Sequence, residues 1–192
     1  LRQQEKKNEA GAVYYSLADF IAPESSGMED FIGAFAVTAG TGIAARIERM
    51  KCDGDEYGAL LLQSLSDRLA EAGAALLHYR VRHDIWGFAP NERPEPAAIL
   101  HDDVVGIRPA VGYPSLPDQS LIFDLAKIID FKRTGIEITE NGAMSPSSSV
   151  AGFIIANPEA RYFVVRIGEE QRKLYLAERG LSPEEGKKWV SA

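Results

Sequence analysis

The chain has 192 residues, 45% of them hydrophobic, which suits one globular domain with a sizeable core. Its formal net charge of -7 argues against a nucleic-acid partner. No apolar run approaches the roughly 18 residues of a membrane span, and the first residues lack a signal-peptide core, so no membrane association is expected. The single cysteine, Cys52, excludes an internal disulfide and a cysteine-rich zinc site, and it favours a cytoplasmic location.

Two short apolar segments near the start of the chain predict strands. Residues 14–21 and 31–38 are rich in aromatic and aliphatic side chains, and turn-forming residues 23–27 separate them. Apolar residues then recur at helical spacing over residues 43–53, which predicts a short helix.

The turn before that helix, residues 40–45 (GTGIAA), matches the dinucleotide-binding fingerprint G-x-G-x-x-A. A dinucleotide-binding unit needs a second buried strand after the helix, whereas residues 51–57 form a polar turn. We therefore favour a tight strand-to-helix turn over a nucleotide site.

The strongest periodic signal covers residues 57–85 and predicts a long amphipathic helix. One continuous apolar stripe is expected to face the core, and its members are Leu61, Leu65, Leu69, Ala72 and Leu76.

Residues 87–119 contain six prolines, each of which fixes φ and removes a backbone donor. This segment is expected to be mostly ordered loop, and loops of that length inside a compact domain are usually functional.

The last third of the chain mixes helices and strands. We predict a helix over residues 121–131 and strands over the following three segments, which are 136–139, 150–156 and 162–167. Residues 157–160 (NPEA) would close a hairpin between the last two strands. A final helix begins near Ser182, where Glu185 completes a capping box. Adjacent strands with helices between the pairs indicate an α+β domain around an antiparallel sheet.

Four polar residues of the long helix, Asp67, Glu71, His78 and Arg82, lie on one predicted stripe. Two carboxylates one turn apart repel slightly, so helix stability alone does not require them. A solvated charged edge is the favoured interpretation, and an acidic face aimed at a ligand or partner is the alternative. The spacings of the three histidines do not predict a metal site, and no G-x-S-x-G hydrolase motif is present.

The most informative segment is residues 106–114, GIRPAVGYP. Arg108 offers a rigid five-donor guanidinium beside a proline, and Gly112 allows close backbone approach before Tyr113. These residues describe a rigid loop that presents a carboxylate clamp. From the residues alone, an ordinary surface ion pair at Arg108 is an equally good interpretation.

Several ordered blocks resemble the activation domain of vitamin B12-dependent methionine synthase. They are residues 16–23 (SLADFIAP), 30–40 (DFIGAFAVTAG), 67–72 (DRLAEA), 86–92 (WGFAPNE), 106–114, and Thr139-Glu140 followed by Ala143-Met144. Blocks in one order over nearly the whole chain are more specific than any single motif.

The resemblance implies a C-shaped α+β domain with a twisted antiparallel sheet that binds S-adenosylmethionine in a groove. Members of the family dock over the cobalamin-binding domain of the same polypeptide. When the cobalt(I) form of that cofactor is oxidised to cobalt(II), they accept an electron from flavodoxin or an equivalent donor and support remethylation by S-adenosylmethionine. The resemblance therefore implies a domain of a methyltransferase, methionine synthase, which acts in methionine biosynthesis.

The resemblance also assigns ligand contacts. Arg108 would hold the methionyl carboxylate, Ala110 would offer a backbone contact, and Tyr113 matches the loop tyrosine. Tyr162 and Phe163 match paired aromatic positions that flank the ligand and its sulfonium charge. Asp67 and Glu71 match acidic positions on the family's long helix, which face the cobalamin-binding domain.

Departures from the family pattern occur in four places. Residues 116–119 (LPDQ) replace its x-C-P-x-H, Ser145 stands where tryptophan is common, and Tyr162-Phe163 replaces a tyrosine pair. The family's N-terminal acidic ligand contact precedes Leu1. We therefore expect residues 1–192 to be a C-terminal fragment of a larger chain that lacks the first part of the activation domain.

The resulting expectation is a repair domain with no metal, no catalytic residue and no complete active site of its own, so that the fragment alone is inactive. Cobalamin would bind to a neighbouring domain. Two rivals remain: a self-contained enzyme that uses Asp67, Glu71 and His78 for acid-base work on a small metabolite, and a stand-alone activation protein acting in trans.

Overall fold

The computed structural model describes residues 1–4 and 13–190, and among them it has six α-helices and four strands. The helices are α1 (Ile43–Cys52), α2 (Glu56–Arg80), α3 (Pro96–Leu100), α4 (Leu121–Ile128), α5 (Glu169–Arg179) and α6 (Pro183–Trp189). The strands are β1 (Ile32–Thr38), β2 (Glu137–Ile138), β3 (Met144–Ser145) and β4 (Ser149–Ile155). Separate helices and antiparallel strand pairs confirm the predicted α+β class.

The central element is the antiparallel pair of β1 and β4, in which Phe35 lies opposite Gly152. Both strands were predicted from their apolar runs. The other edge of β4 is taken by the loop before α4, because Ile107 bridges to Ile155 and Ala110 bridges to Gly152. The proline-rich loop thus runs beside the sheet as an additional, irregular strand.

Helix α1 begins after Gly42, which has a left-handed φ of 78°. The predicted strand-to-helix turn is confirmed here. Helix α1 then leads by way of Asp53 into α2, and β1 pairs with β4 in antiparallel fashion. A parallel β-α-β unit is therefore absent from residues 32–80, as the polar turn after α1 had indicated.

Helix α2 confirms the predicted long helix, and a π-helical turn, Val81–Ile85, extends it. The expectation for its buried face was wrong. Its buried members are small or polar side chains: Ala59, Ser66, Ala70, Ala74 and His78.

The leucine stripe instead faces outward, and Leu61, Leu65, Leu69 and Leu76 are 57%, 56%, 52% and 63% exposed. Small side chains occupy the inner face because they let the helix backbone approach the sheet closely. A Cβ atom added to Gly73 would lie only 3.0 Å from Cγ1 of Val37 in β1.

An apolar cluster lies on the side of the sheet that faces away from α2. It joins α4 to the loop and to β4 through Ile122, Leu125, Val111 and Ala151, all of them buried. Helix α4 ends at Ile128, three residues before the predicted end, and a short 3-10 helix follows at Phe131–Thr134. The predicted strand at residues 136–139 is reduced to β2.

Two predicted strands are absent from the described residues. Leu17–Phe20 is a 3-10 helix, which the side chains of Ser16 and Asp19 cap reciprocally. Residues 162–167 form no strand and have no strand partner, so the predicted hairpin across residues 157–160 does not form. The reason is that β1 occupies one edge of β4 and the loop residues Ile107 and Ala110 occupy the other.

The C-terminal region consists of α5, which the sequence analysis did not predict, and α6, which it did. The capping box of Ser182 and Glu185 is confirmed in both directions. Helix α6 packs closely on α5, because a Cβ atom on Gly186 would lie 2.3 Å from Cδ1 of Leu176. No helix in residues 1–4 and 13–190 is long and apolar enough to cross a membrane.

Candidate functional site

The candidate site is a cavity of about 370 Å³ between α2, β4 and the loop that precedes α4. The structure brings together around it all five residues for which we predicted ligand contacts, namely Arg108, Ala110, Tyr113, Tyr162 and Phe163. The remaining lining residues are Phe35, Glu71, Asp102, Pro109, Pro114, Ser115, Val150 and Val164. Most of the wall is apolar, and a few charged and hydroxyl groups converge on it.

The loop is positioned by backbone hydrogen bonds to β4. The N–H groups of Phe153 and Val111 donate to the carbonyl oxygens of Pro109 (3.0 Å) and Ala151 (3.0 Å). Gly152 is required at this crossing, because a Cβ atom there would lie 2.1 Å from the Pro109 oxygen. Arg108 therefore projects from a segment whose backbone the sheet holds in place.

The side chain of Arg108 is only 12% exposed and faces the cavity as half of an ion pair. Its Nη1 donates to Oδ1 of Asp102 at 2.9 Å, and its backbone N–H donates to the hydroxyl of Tyr162 at 2.8 Å. Nε is buried and has no hydrogen-bond partner among the described residues. An unpaired buried donor on a charged group is costly, so the guanidinium is not fully satisfied by its protein partners.

Asp102, which the sequence analysis did not select, is the partner of Arg108 in the cavity wall. It has a left-handed φ of 53°, an uncommon conformation for a residue other than glycine. Burial raises the pKa of its carboxyl group, and the Arg108 guanidinium opposes that rise. Only the positive φ and the ion pair reveal its role, and neither has a sequence signature.

Tyr113 joins the loop to α2 across the cavity. Its hydroxyl donates to Oε1 of Glu71 at 2.5 Å. Burial and that hydrogen bond raise the pKa of Tyr113 to about 12. The pKa of Tyr162 also rises to about 12, chiefly through burial. Both phenols are therefore neutral near pH 7 and act as hydrogen-bonding groups.

Phe163 lines the cavity. Its backbone is fixed to the loop, because Ser115 Oγ donates to the Phe163 carbonyl oxygen at 2.8 Å and Val165 N–H donates to Pro114 at 2.9 Å. The ring packs near Tyr15, with the ring centroids 6.1 Å apart. These contacts hold residues 162–165 in place without a β-ladder.

A second cavity of about 670 Å³ adjoins the first, and Glu71 and Tyr113 line both. Asp67 lies in this second cavity, where Ser148 Oγ donates to its Oδ1 at 2.6 Å. Gln63 Nε2 donates to the same oxygen at 2.8 Å. Asp67 and Glu71 therefore share one side of α2, as predicted.

The other two members of the predicted polar stripe do not join them. His78 and Arg82 are 3% and 1% exposed and belong to the core face. Burial, followed by the nearby Arg82 charge, lowers the pKa of His78 to about 3. His78 is therefore neutral and inaccessible, and the rival enzyme with an acid-base stripe of Asp67, Glu71 and His78 is contradicted.

The segment at 116–119 that departs from the family pattern has a structural function here. Asp118 is fully buried and accepts hydrogen bonds from the hydroxyls of Ser120 (2.6 Å) and Tyr175 (2.6 Å). Arg179 Nε lies 3.3 Å from its Oδ2. Asp118 thus ties the end of the loop to α5. No group of three or more potential metal ligands occurs in the part of the chain that the structure describes.

Fold and site together define a small α+β domain with a largely apolar cavity whose wall contains an arginine-carboxylate pair. A family model described as the activation domain of vitamin B12-dependent methionine synthase matches residues 1–180. The chain belongs to that family.

A solved structure described as the MetH reactivation domain bound to AdoHcy is similar to this chain, with 40% sequence identity and a TM-score of 0.89. The match covers 98% of this chain and 58% of that one. The chain thus spans somewhat more than half the length of the solved relative.

Proposed function

We propose that the cavity beside Arg108 binds S-adenosylmethionine and that the chain supports the reductive remethylation of cobalamin in a methionine synthase. The observation that carries the proposal is the convergence of the five family ligand positions on one cavity. The similar reactivation domain, which was solved with AdoHcy, supports the same ligand class. A cavity of about 370 Å³ also falls within the usual range for small-molecule sites, about 300–1,000 Å³.

Each part of the ligand has a chemically suitable partner in the wall. The methionyl carboxylate would pair with the guanidinium of Arg108, which lines the cavity. The adenosyl group would lie against apolar residues such as Phe163 and Val150, and Ala110 would provide a backbone contact. The sulfonium charge would be favoured near the aromatic faces of Tyr162 and Phe163.

The proposed chemistry requires only binding and orientation from this chain, because methyl transfer from a sulfonium needs no general base. Tyr113 and Tyr162, whose pKa values are raised to about 12, would act there as neutral hydrogen-bonding groups. The chain's own residues would bind and orient the donor. A cobalamin held by a neighbouring domain would supply the nucleophilic cobalt.

The second cavity is the proposed approach side of that neighbouring domain. Asp67 and Glu71 line it, and Glu71 also lines the ligand cavity, so a partner there would contact the edge of the bound ligand. Replacing Asp67 by alanine should weaken docking of an added cobalamin domain and leave ligand affinity nearly unchanged. An electron donor such as flavodoxin and a cytoplasmic location are part of the same proposal.

Calorimetry with S-adenosylhomocysteine, which cannot donate a methyl group, tests the ligand assignment. Arg108→Ala should weaken binding roughly ten- to hundredfold, which corresponds to about 1.5–3 kcal/mol for a charge-assisted pair. Arg108→Lys should recover only part of the loss, because it keeps the charge without the planar fork. Arg161→Ala is the matched control, since Arg161 is exposed and outside the cavity.

Two results would contradict the proposal. The first is an unaltered chain that binds neither S-adenosylhomocysteine nor S-adenosylmethionine at millimolar concentration. The second is an Arg108→Ala variant that remains folded by circular dichroism and binds as tightly as its parent. We also expect the chain alone not to methylate homocysteine, and turnover by the purified chain would be evidence for a different function.

A further inference from the structure

A buried ion pair outside the cavity connects the end of α2 to the loop that carries Arg108. Arg82 lies in the π-helical turn after α2, and its Nε donates to Oε2 of Glu92 at 2.7 Å. The Arg82 side chain is 2% exposed and that of Glu92 is 19% exposed. The Arg82 end of the pair therefore lies in the interior of the protein, and the Glu92 carboxylate is partly buried.

The second oxygen of the same carboxylate reaches the loop. Oε1 of Glu92 accepts a hydrogen bond from the backbone N–H of Val105 at 2.9 Å. Glu92 therefore holds Arg82 with one oxygen and Val105 with the other. Val105 lies three residues before Arg108, so the helix end is connected to the loop by a single carboxylate.

The backbone between Val105 and Arg108 has little freedom to absorb a change. Gly106 has a φ of 76°, and a Cβ atom there would lie 2.7 Å from the Ile155 carbonyl oxygen in β4. Ile107 exchanges backbone hydrogen bonds with Ile155 at 3.0 and 2.9 Å. The backbone before Arg108 is thus held at Val105 by Glu92 and at Ile107 by β4.

Stability alone is a poor explanation for this arrangement. Desolvation of two charges offsets much of their attraction, and apolar side chains of similar volume are often equally good or better in such positions. The cluster also leaves two buried atoms, Arg82 Nη2 and His78 Nε2, without a hydrogen-bond partner in the described residues. A core selected only for stability would not retain a desolvated ion pair and unsatisfied buried nitrogen atoms.

We infer that Arg82 and Glu92 are positioning residues that set the loop so that the Arg108 guanidinium is already oriented before the ligand arrives. Without the pair, Val105 would lose its side-chain anchor, the residues before Ile107 would have to be ordered on binding, and that ordering would reduce affinity. This inference rests on the proposed function, because it concerns the affinity of the same cavity.

The test replaces the pair in the whole chain by apolar side chains of similar volume, Arg82→Met with Glu92→Leu. The double variant should fold but melt somewhat below the parent, because the Val105 N–H loses its acceptor. It should exchange its Val105 and Gly106 amide protons faster and bind S-adenosylhomocysteine about two- to tenfold more weakly. Arg80→Met is the matched control. It removes the exposed Arg80–Asp84 pair of the same helix, so its affinity and exchange should equal those of the parent.

A folded double variant that binds as tightly as the parent overturns the inference, whatever its melting temperature. If the double variant does not fold, Glu92→Gln takes its place, because it keeps the volume and removes only the charge. If the parent itself fails to bind, the proposed function is contradicted, and exchange alone decides the inference: unchanged protection of the Val105 and Gly106 amides overturns it.

Discussion

The two faces of α2 differ in a way that hydropathy does not indicate. Ala70 and Ala74 on the inner face are 1% exposed, whereas Leu65 and Leu69 on the outer face are 56% and 52% exposed. The inner face packs on the sheet, and its small side chains let the helix lie close to β1 and β4. Side-chain size, and not apolar character, therefore decides which face of this helix is buried.

The inner face also carries the polar groups that connect the helix to the loop and the cavity. His78 and Arg82 are buried there, and Glu71 at its edge accepts a hydrogen bond from Tyr113. The outer face has no such connection in the described residues. Substitutions on the inner face should therefore change stability, whereas the same substitutions on the outer face should not.

The largest change in stability is expected when an alanine of the inner face is replaced by leucine, and the same replacement on the outer face is its control. Ala74→Leu forces a large side chain into the interface with the sheet and should reduce the free energy of unfolding by about 1–3 kcal/mol. Ala72→Leu on the exposed face should change it by less than about 0.5 kcal/mol. Urea denaturation measures both, and equal losses would show that the inner face is not closely packed.

The next largest change in the free energy of unfolding is expected from the protonation of His78 as the pH falls. Its pKa is lowered from 6.5 to about 3 in the folded chain, so the unfolded chain binds the proton more readily between these values. The stability due to neutral His78 is thus present above pH 6.5 and is lost as the pH falls. Between about pH 7.5 and 5.5 the loss should be about 1.4 kcal/mol.

A His78→Gln variant should lack this part of the pH dependence, because glutamine does not titrate. Urea denaturation of the two proteins at both pH values gives the difference. Identical pH dependence in parent and variant would mean that the proton reaches His78 in the folded chain, and that the residue is not enclosed beside Arg82 and Phe88.

Tyr113→Phe examines the contact between the inner edge of α2 and the loop. It removes the hydrogen bond to Glu71, which should destabilise the chain by about 0.5–1.5 kcal/mol. Tyr57→Phe is the matched control, because Tyr57 is 78% exposed. Thermal denaturation of the two variants provides the comparison, and equal melting temperatures would indicate that the Tyr113 hydroxyl is solvated in solution.

The smallest effect belongs to the outer leucines. Leu65→Gln and Leu69→Gln should each change the free energy of unfolding by less than about 0.5 kcal/mol, since more than half of each side chain is exposed. Chemical denaturation at one protein concentration is sufficient. A loss above 2 kcal/mol would show that these leucines are covered in solution.

Local sequence signals predicted the elements that an apolar run, a helical spacing or a cap marks. The strands that became β1 and β4, the long helix and the capping box of Ser182 and Glu185 all follow from spacing or from caps. The strand predicted at residues 162–167 was wrong because both edges of β4 were already occupied by more distant segments. Pairing depends on the whole sheet, which a short window cannot represent.

The site was predictable to a similar extent. The rigid loop around Arg108 could be recognised from its prolines and glycines, and the ligand positions came from the family resemblance. Asp102 was missed because its role depends on a left-handed backbone and an ion pair to Arg108. The link from Arg82 through Glu92 to the loop joins residues that no local pattern connects.

A crystal structure of this chain with S-adenosylhomocysteine is the most direct measurement of the central claim. We expect the ligand in the cavity lined by Tyr113 and Phe163, with its carboxylate oxygens at about 2.7–2.9 Å from the Arg108 guanidinium. Ligand density beside Asp67 and Ser148 in the second cavity, or a carboxylate that does not contact Arg108, would contradict the account.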